Sequence, residues 1–214
     1  MNASAAPAQD PARALLVDRL VDSFLVLLQE RGWHDIALLD VVKGTQMEPA
    51  VGLAMMRSKG ALLGAWIDRI DALMLAEGAP PSAEDARSRL FDVLMRRFDG
   101  LAAQRGALRA LRRDLPADPL ALLRLGLRLE RSMALALELA GISSGGFFGM
   151  LRARTLVALE GSLLGTFLED DSADLARTMA ALDRRLRSLE PWANRLENMS
   201  FSRKTEPDPG SSAP

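Results

Sequence analysis

Lys43, Arg57 and Lys59 are the residues best placed to do recognition chemistry. They punctuate the stretch Ile36–Leu63, IALLDVVKGTQMEPAVGLAMMRSKGALL. A short apolar-faced segment (Leu38, Val41, Val42) runs into Gly44-Thr45, a second opens near Glu48-Pro49, and a third begins at Ser58-Lys59. That rhythm predicts a helix-turn-helix followed by a longer support helix. Lysine and arginine at such positions hold backbone phosphates, and their binding releases counterions. Sequence reading needs something else, namely side-chain donors for base edges. The helix that should carry them offers Ala50, Val51, Gly52, Leu53, Ala54, Met55 and Met56. Phosphate chemistry is present and base-edge chemistry is missing.

Few other residues suggest a reaction. His34 is the only histidine and there is no cysteine, so a usual transition-metal site has no ligand set. No Gly-rich phosphate loop follows a strand and no nucleophile elbow occurs. Asp170-Asp171 reads as charge at a helix start ahead of Ser172. Glu160 is the one charge between Thr155 and Leu168. It either lines a ligand cavity or pairs with an arginine, because a lone buried carboxylate is costly. The expectation is a protein that is not an enzyme, with no catalytic residues, no metal and no cofactor.

The elements that must position these residues are helical. The 214-residue chain is 49% hydrophobic and 26% charged, enough apolar material for a sizeable core. Its formal charge of −1, from 27 basic and 28 acidic residues, gives no global pull toward nucleic acid. Asp10-Pro11 opens a helix bearing Leu15, Leu16, Leu20, Phe24, Leu27 and Leu28 on one face and ending at Gly32. After the helix-turn-helix, Leu62, Leu63, Trp66, Ile67, Ile70, Leu73 and Met74 recur at spacings of three and four. Gly78-Ala79-Pro80-Pro81 is the clearest break in the chain. Beyond it, Ser82 with Asp85 resembles a capping arrangement, Pro116 stops one helix, and Asp118-Pro119 opens a long Leu-rich one to Ala140. A Gly/Ser loop at 141–146 precedes the nearly charge-free helix, and Ser172 caps the next, through about Ser188. The expected fold is all-α, about nine to ten helices. The division is a disordered 1–9, a head at 10–78, a body at 82–190, an amphipathic segment at 191–204 and a disordered tail at 205–214.

The first four helices resemble the TetR-like repressor family. Ile36, Leu38, Asp40 and Val41 match its opening motif, and Ser58, Lys59 and Leu62 its close. Gln46 stands where that family has the turn glycine, Leu53 where it has a phosphate-touching tyrosine, and Met56 where it has a phenylalanine. The resemblance implies a three-helix head on a helical ligand-binding and dimerisation body. It also implies a homodimer whose retained DNA contacts would be Lys43, Arg57 and Lys59.

Residues 167–186, FLEDDSADLARTMAALDRRL, resemble the closing signature of the lipid-binding accessory family of coenzyme Q (ubiquinone) biosynthesis, itself TetR-like. Leu168, Asp170, Ser172, Thr178, Leu182, Asp183, Arg184, Arg185 and Leu186 match it, and Phe167 replaces its tryptophan. Arg152, Arg154 and Leu156 echo the run that opens the preceding helix. By this resemblance the protein supports ubiquinone biosynthesis by presenting a lipid or isoprenoid quinone precursor to a membrane-associated hydroxylase. Leu127, Met133, Leu137, Phe148, Leu156, Leu159, Leu163 and Phe167 would then wall the ligand pocket. The same composition is equally that of a dry core with a dimer seam. Trp192, Leu196, Met199 and Phe201 would lie on a membrane surface, or else dock on the body as a final helix. The expected location is cytoplasmic, peripheral at the inner face of the membrane. The alternative function is a ligand-responsive TetR regulator that binds DNA as a dimer.

Overall fold

The computed structural model describes the backbone of residues 11–202 and the side chains of residues 11–189. Among these residues the chain is all-α, with nine α-helices and no strand. The helices are α1 (Pro11–Arg31), α2 (Leu38–Gly44), α3 (Pro49–Met55), α4 (Lys59–Leu75), α5 (Ala86–Ala102), α6 (Arg105–Asp114), α7 (Pro119–Leu139), α8 (Gly146–Leu168) and α9 (Ala176–Ser202). A short 3-10 turn, Leu115–Ala117, joins α6 to α7.

Local chemistry sets most boundaries. α1 ends at Gly32, whose φ of +84° suits glycine and turns the chain away. Ser58 caps α4 by accepting from the Ala61 amide at 3.0 Å. Asp118 caps α7 by accepting from the Ala121 amide at 3.0 Å, with Pro119 in the first turn. The cap of α5 differs from expectation. Asp85, not Ser82, accepts from the Ser88 amide at 2.8 Å and from the Ser88 hydroxyl at 3.1 Å.

The helix-turn-helix is tied down by side chains of α1. Ser23 donates to the Val41 carbonyl at 2.8 Å and Arg19 to the Thr45 carbonyl at 2.6 Å, satisfying acceptors at the end of α2. Gln46 then adopts φ +57°, the left-handed conformation that glycine takes most easily. The turn is thus made by a residue that carries a Cβ. Gly52 of α3 is buried against Val42, where a Cβ would meet the valine methyls at 2.5 and 2.8 Å.

Head and body share one core. Leu20, Phe24, Val41, Val42 and Leu62 belong to the same buried cluster as Phe98, Met133, Leu163 and Phe167. α1 packs along α6, and α4 packs along both α5 and α7. The break at 78–81 is a break in the chain and not in the packing.

The start of α9 gives most of the motif at 167–186 a folding role. Asp170, fully buried, accepts from the Ser172 amide and hydroxyl at 3.3 and 2.5 Å, and from the Thr178 amide and hydroxyl at 2.7 and 2.8 Å. Ser172 accepts in turn from the Ala176 amide at 2.9 Å. Leu168, Leu182 and Leu186 are core, and Asp183 pairs with Arg87 at 3.1 Å and Arg187 at 2.6 Å. Each of these residues has a folding role. α9 also runs unbroken across the boundary expected at 190–191.

Candidate functional site

Two sites emerge, a surface on the head and a cavity in the body, and α4 belongs to both. On the head, Ala50, Val51, Leu53 and Ala54 are exposed, while Met55 is half-buried and Met56 is core. The outward face of α3 is therefore a set of methyl groups. Lys43 and Arg57 flank it and are exposed. Lys59 is not free in the same way. Its Nζ donates to the Trp33 carbonyl at 2.6 Å and lies 4.7 Å from the Trp33 ring centre. Burial lowers its pKa against the opposing pull of Asp118 and Asp35. Lys59 is thus half-buried and tied to Trp33, unlike the exposed Lys43 and Arg57.

Trp33 is the other half of that strut. Its amide donates to Asp114 at 2.8 Å and its indole N–H to Asp118 at 3.1 Å. Asp118 is also the α7 cap, so the α1–α2 turn, the start of α4 and the start of α7 meet at one point. His34 adds a 3.1 Å contact from Nε2 to the Asp114 carbonyl. No cluster of three or more potential metal ligands occurs among the described residues.

The cavity occupies about 330 Å³ and is walled by α4, α5, α6, α7, α8 and the 3-10 turn. Leu63, Trp66, Ile67 and Ile70 form its α4 side, and Val157, Glu160, Gly161 and Leu164 its α8 side. Its size and apolar lining are those of a small-molecule pocket. One end is polar. Arg97, only 2% exposed, donates to Glu160 and Asp71, each at 2.8 Å, and to the Ser132 hydroxyl, also at 2.8 Å. Ser132 donates to Asp71 in turn. Burial raises the Asp71 pKa, with Ser132 and Arg97 opposing; Arg97 is held charged by Glu160 and Asp71 despite its own burial. Glu160 therefore both pairs with an arginine and lines a cavity.

The residues expected around a ligand pocket do not line this cavity. Leu156, Leu159, Leu163 and Phe167 form the adjacent α8 stripe and are core, with Phe167 packed 5.2 Å from the Phe98 ring. Met133 and Leu137 are likewise core, and Phe148 is half-buried near the start of α8. Leu127 is 51% exposed, in a separate groove of about 660 Å³ between the start of α4 and α7. None of the eight lines the 330 Å³ cavity. The most apolar stripe of α8 went to the core, and the cavity took the next one, with its glutamate and glycine. Arg97 and Asp71 carried no sequence signal, Trp66 was marked only as part of the apolar face of α4, and the isolated charge of Glu160 was the one pointer to this cavity. Trp192, Leu196, Met199 and Phe201 lie outside the residues whose side chains are described. No helix among the described residues is long and apolar enough to cross a membrane.

No protein-family model matches the sequence, and no curated protein does. Solved structures do match the fold. A TetR transcriptional regulator from Nitrosomonas europaea aligns with TM-score 0.64 and 24% identity, covering 84% of this chain and 98% of its own. A TetR transcriptional regulator from Rhodococcus sp. RHA1 aligns with TM-score 0.61 and 19% identity, covering 84% and 97%. A TetR-family regulator from Streptomyces coelicolor follows with TM-score 0.51 and 16% identity, covering 90% and 99%. The fold is therefore TetR-like. These neighbours overturn the expectation of a quinone-biosynthesis accessory protein, which rested on residues 167–186. Asp170, Ser172, Thr178 and the leucines of that motif serve the cap and core of α9, while Arg184 and Arg185 are exposed, and the quinone-enzyme and membrane partners lose their support.

Proposed function

We propose that this chain is a ligand-responsive transcriptional regulator that binds DNA as a homodimer and holds it mainly through phosphates. The observation that carries this reading is the double membership of α4. Leu63, Trp66, Ile67 and Ile70 wall the cavity, and the same helix begins at Ser58-Lys59, locked to Trp33 directly after α3. A molecule that fills the cavity presses on the helix that seats the head. A two-state shift of α4 would then change the separation of two α3 helices in a dimer, the quantity that half-site spacing reads.

Lys43 and Arg57 supply the phosphate contacts of each protomer. The methyl face of Ala50, Val51, Leu53 and Ala54 suits thymine C5-methyl groups, the one apolar mark in the major groove. Such contacts discriminate weakly, so selectivity comes from methyl contacts and from duplex shape. Phe147, Leu151 and Met179, exposed large apolar side chains on α8 and α9, are the surface assigned to the second protomer.

The test is selection from randomised duplex DNA, followed by affinity measured against salt. The expected result is an enriched two-half-site sequence rich in thymine, weakened when uracil replaces thymine. Burial of one methyl group contributes about 0.8 kcal/mol, so each critical substitution costs roughly fourfold. No enrichment, together with no binding at low salt, would remove the regulator reading.

A further inference from the structure

Glu160 has two carboxylate oxygens, and one is left over. Oε1 accepts from Arg97 at 2.8 Å, while Oε2 is buried and has no hydrogen-bond partner among the described residues. A buried acceptor without a donor is costly, and native structures hold few of them. Trp66, on the α4 wall of the same cavity, has the converse problem: its indole N–H is buried without an acceptor. The charges at this end are unequal. One guanidinium, Arg97, stands against two carboxylates, Asp71 and Glu160. Arg112 is the other cation of the lining, but it is exposed and lies against Gly165, so water screens it. The remaining wall is leucine, isoleucine, valine and aromatic carbon with Pro116 and Gly161.

We propose that the cavity takes a molecule with an apolar body and a hydrogen-bond donor, a hydroxyl or an ammonium, directed at Glu160 Oε2, and that it discriminates against carboxylic acids of the same shape. A hydroxyl serves best, because it donates to Glu160 and also offers an oxygen to Trp66. An ammonium satisfies Glu160 and the excess negative charge. A carboxylate meets a like charge and leaves Oε2 unpartnered. This inference rests on the cavity being the effector site of the regulator proposed above, but binding is measured without DNA.

The experiment is isothermal titration calorimetry of the full-length protein with phenylbutanol, phenylbutylamine and phenylbutanoate, which share one body and differ in head group. The alcohol and the amine are expected to bind at least about tenfold more tightly than the acid. In Glu160→Gln the amide oxygen still accepts from Arg97 and an N–H₂ replaces the free oxygen. The amine should then lose about tenfold, and the acid should gain. Trp66→Phe is the second variant, and keeps the test alive if Glu160→Gln folds poorly. It should weaken the alcohol and leave the amine unchanged. Equal or tighter binding of the acid overturns the proposal, as does no binding of any of the three at millimolar concentration. An unchanged ranking in Glu160→Gln does the same. The expected ranking without DNA binding sustains this inference and removes the regulator reading; DNA binding without the ranking does the reverse.

Discussion

Lys59 Nζ sits 2.6 Å from the carbonyl oxygen of Trp33, and Trp33 in turn reaches Asp118 at 3.1 Å. Three elements distant in sequence thus share one joint: the α1–α2 turn, the first residue of α4 and the cap of α7. The lysine is half-buried at the point where head meets body. The joint ties down the start of α4 while its middle lines the cavity.

Lys59→Met should therefore behave as a stability change. Losing the hydrogen bond and the cation–π contact is expected to cost about 1–2 kcal/mol in urea denaturation. The slope of log affinity against log salt should stay the same. Lys43→Ala and Arg57→Ala should do the opposite: little change in stability, and a slope shallower by about one per protomer for each. Fluorescence anisotropy across a salt series checks both. A slope change for Lys59→Met equal to theirs would return Lys59 to the DNA surface.

Arg97 is the keystone of the cavity floor. Arg97→Met leaves Asp71 and Glu160 buried without their shared cation, and breaking such a network costs about 3–5 kcal/mol. Glu160→Gln keeps an oxygen for Arg97 and should cost no more than about 1 kcal/mol. Chemical denaturation of the two variants separates the cases. Near-equal midpoints would mean the network is solvated and the cavity floor open.

What the sequence made legible was local. Glu48-Pro49, Ser58 and Asp118-Pro119 mark helix starts by chemistry confined to a few neighbouring residues, so the elements and the all-α fold could be read without the structure. The cavity could not. Its α8 wall and the core stripe beside it differ by about 100° around one helix, and leucine composition does not say which stripe meets which neighbour. The Lys59 contact was hidden for the same reason, since its partner lies 26 residues away and is a main-chain carbonyl. The motif at 167–186 misled because Asp170, Ser172 and Thr178 are cap residues, whose hydrogen bonds serve the start of α9 whatever the protein does.

Gln46 holds φ +57° in the turn between α2 and α3. A residue with a Cβ pays about 1–2 kcal/mol for that conformation, partly offset by the greater freedom glycine has when unfolded. Gln46→Gly is expected to raise stability by about 0.5–1 kcal/mol, and Gln46→Val, β-branched, to lower it. Thermal melts of the two variants give the sign. A destabilised Gln46→Gly would mean that the glutamine side chain makes up for the strain of its backbone.

Asp170 gives a pH signature. Burial by itself would raise its pKa, but the hydrogen bonds from Ser172 and Thr178 overcome this and hold the carboxyl far below the usual carboxylate range. The native state therefore binds a proton at this site less readily than the unfolded chain does. Its contribution is complete above the unfolded pKa of about 3.9 and is lost as pH falls from there toward the depressed native value. Asp170→Asn replaces one accepting oxygen with a donor facing other donors, and should cost about 2–3 kcal/mol at neutral pH. The gap between wild type and Asp170→Asn should hold from about pH 7 to pH 5 and narrow below about pH 4. Denaturant midpoints at each pH test this directly. A gap that stays constant to about pH 2.5 would show that the carboxylate charge is not what holds the start of α9.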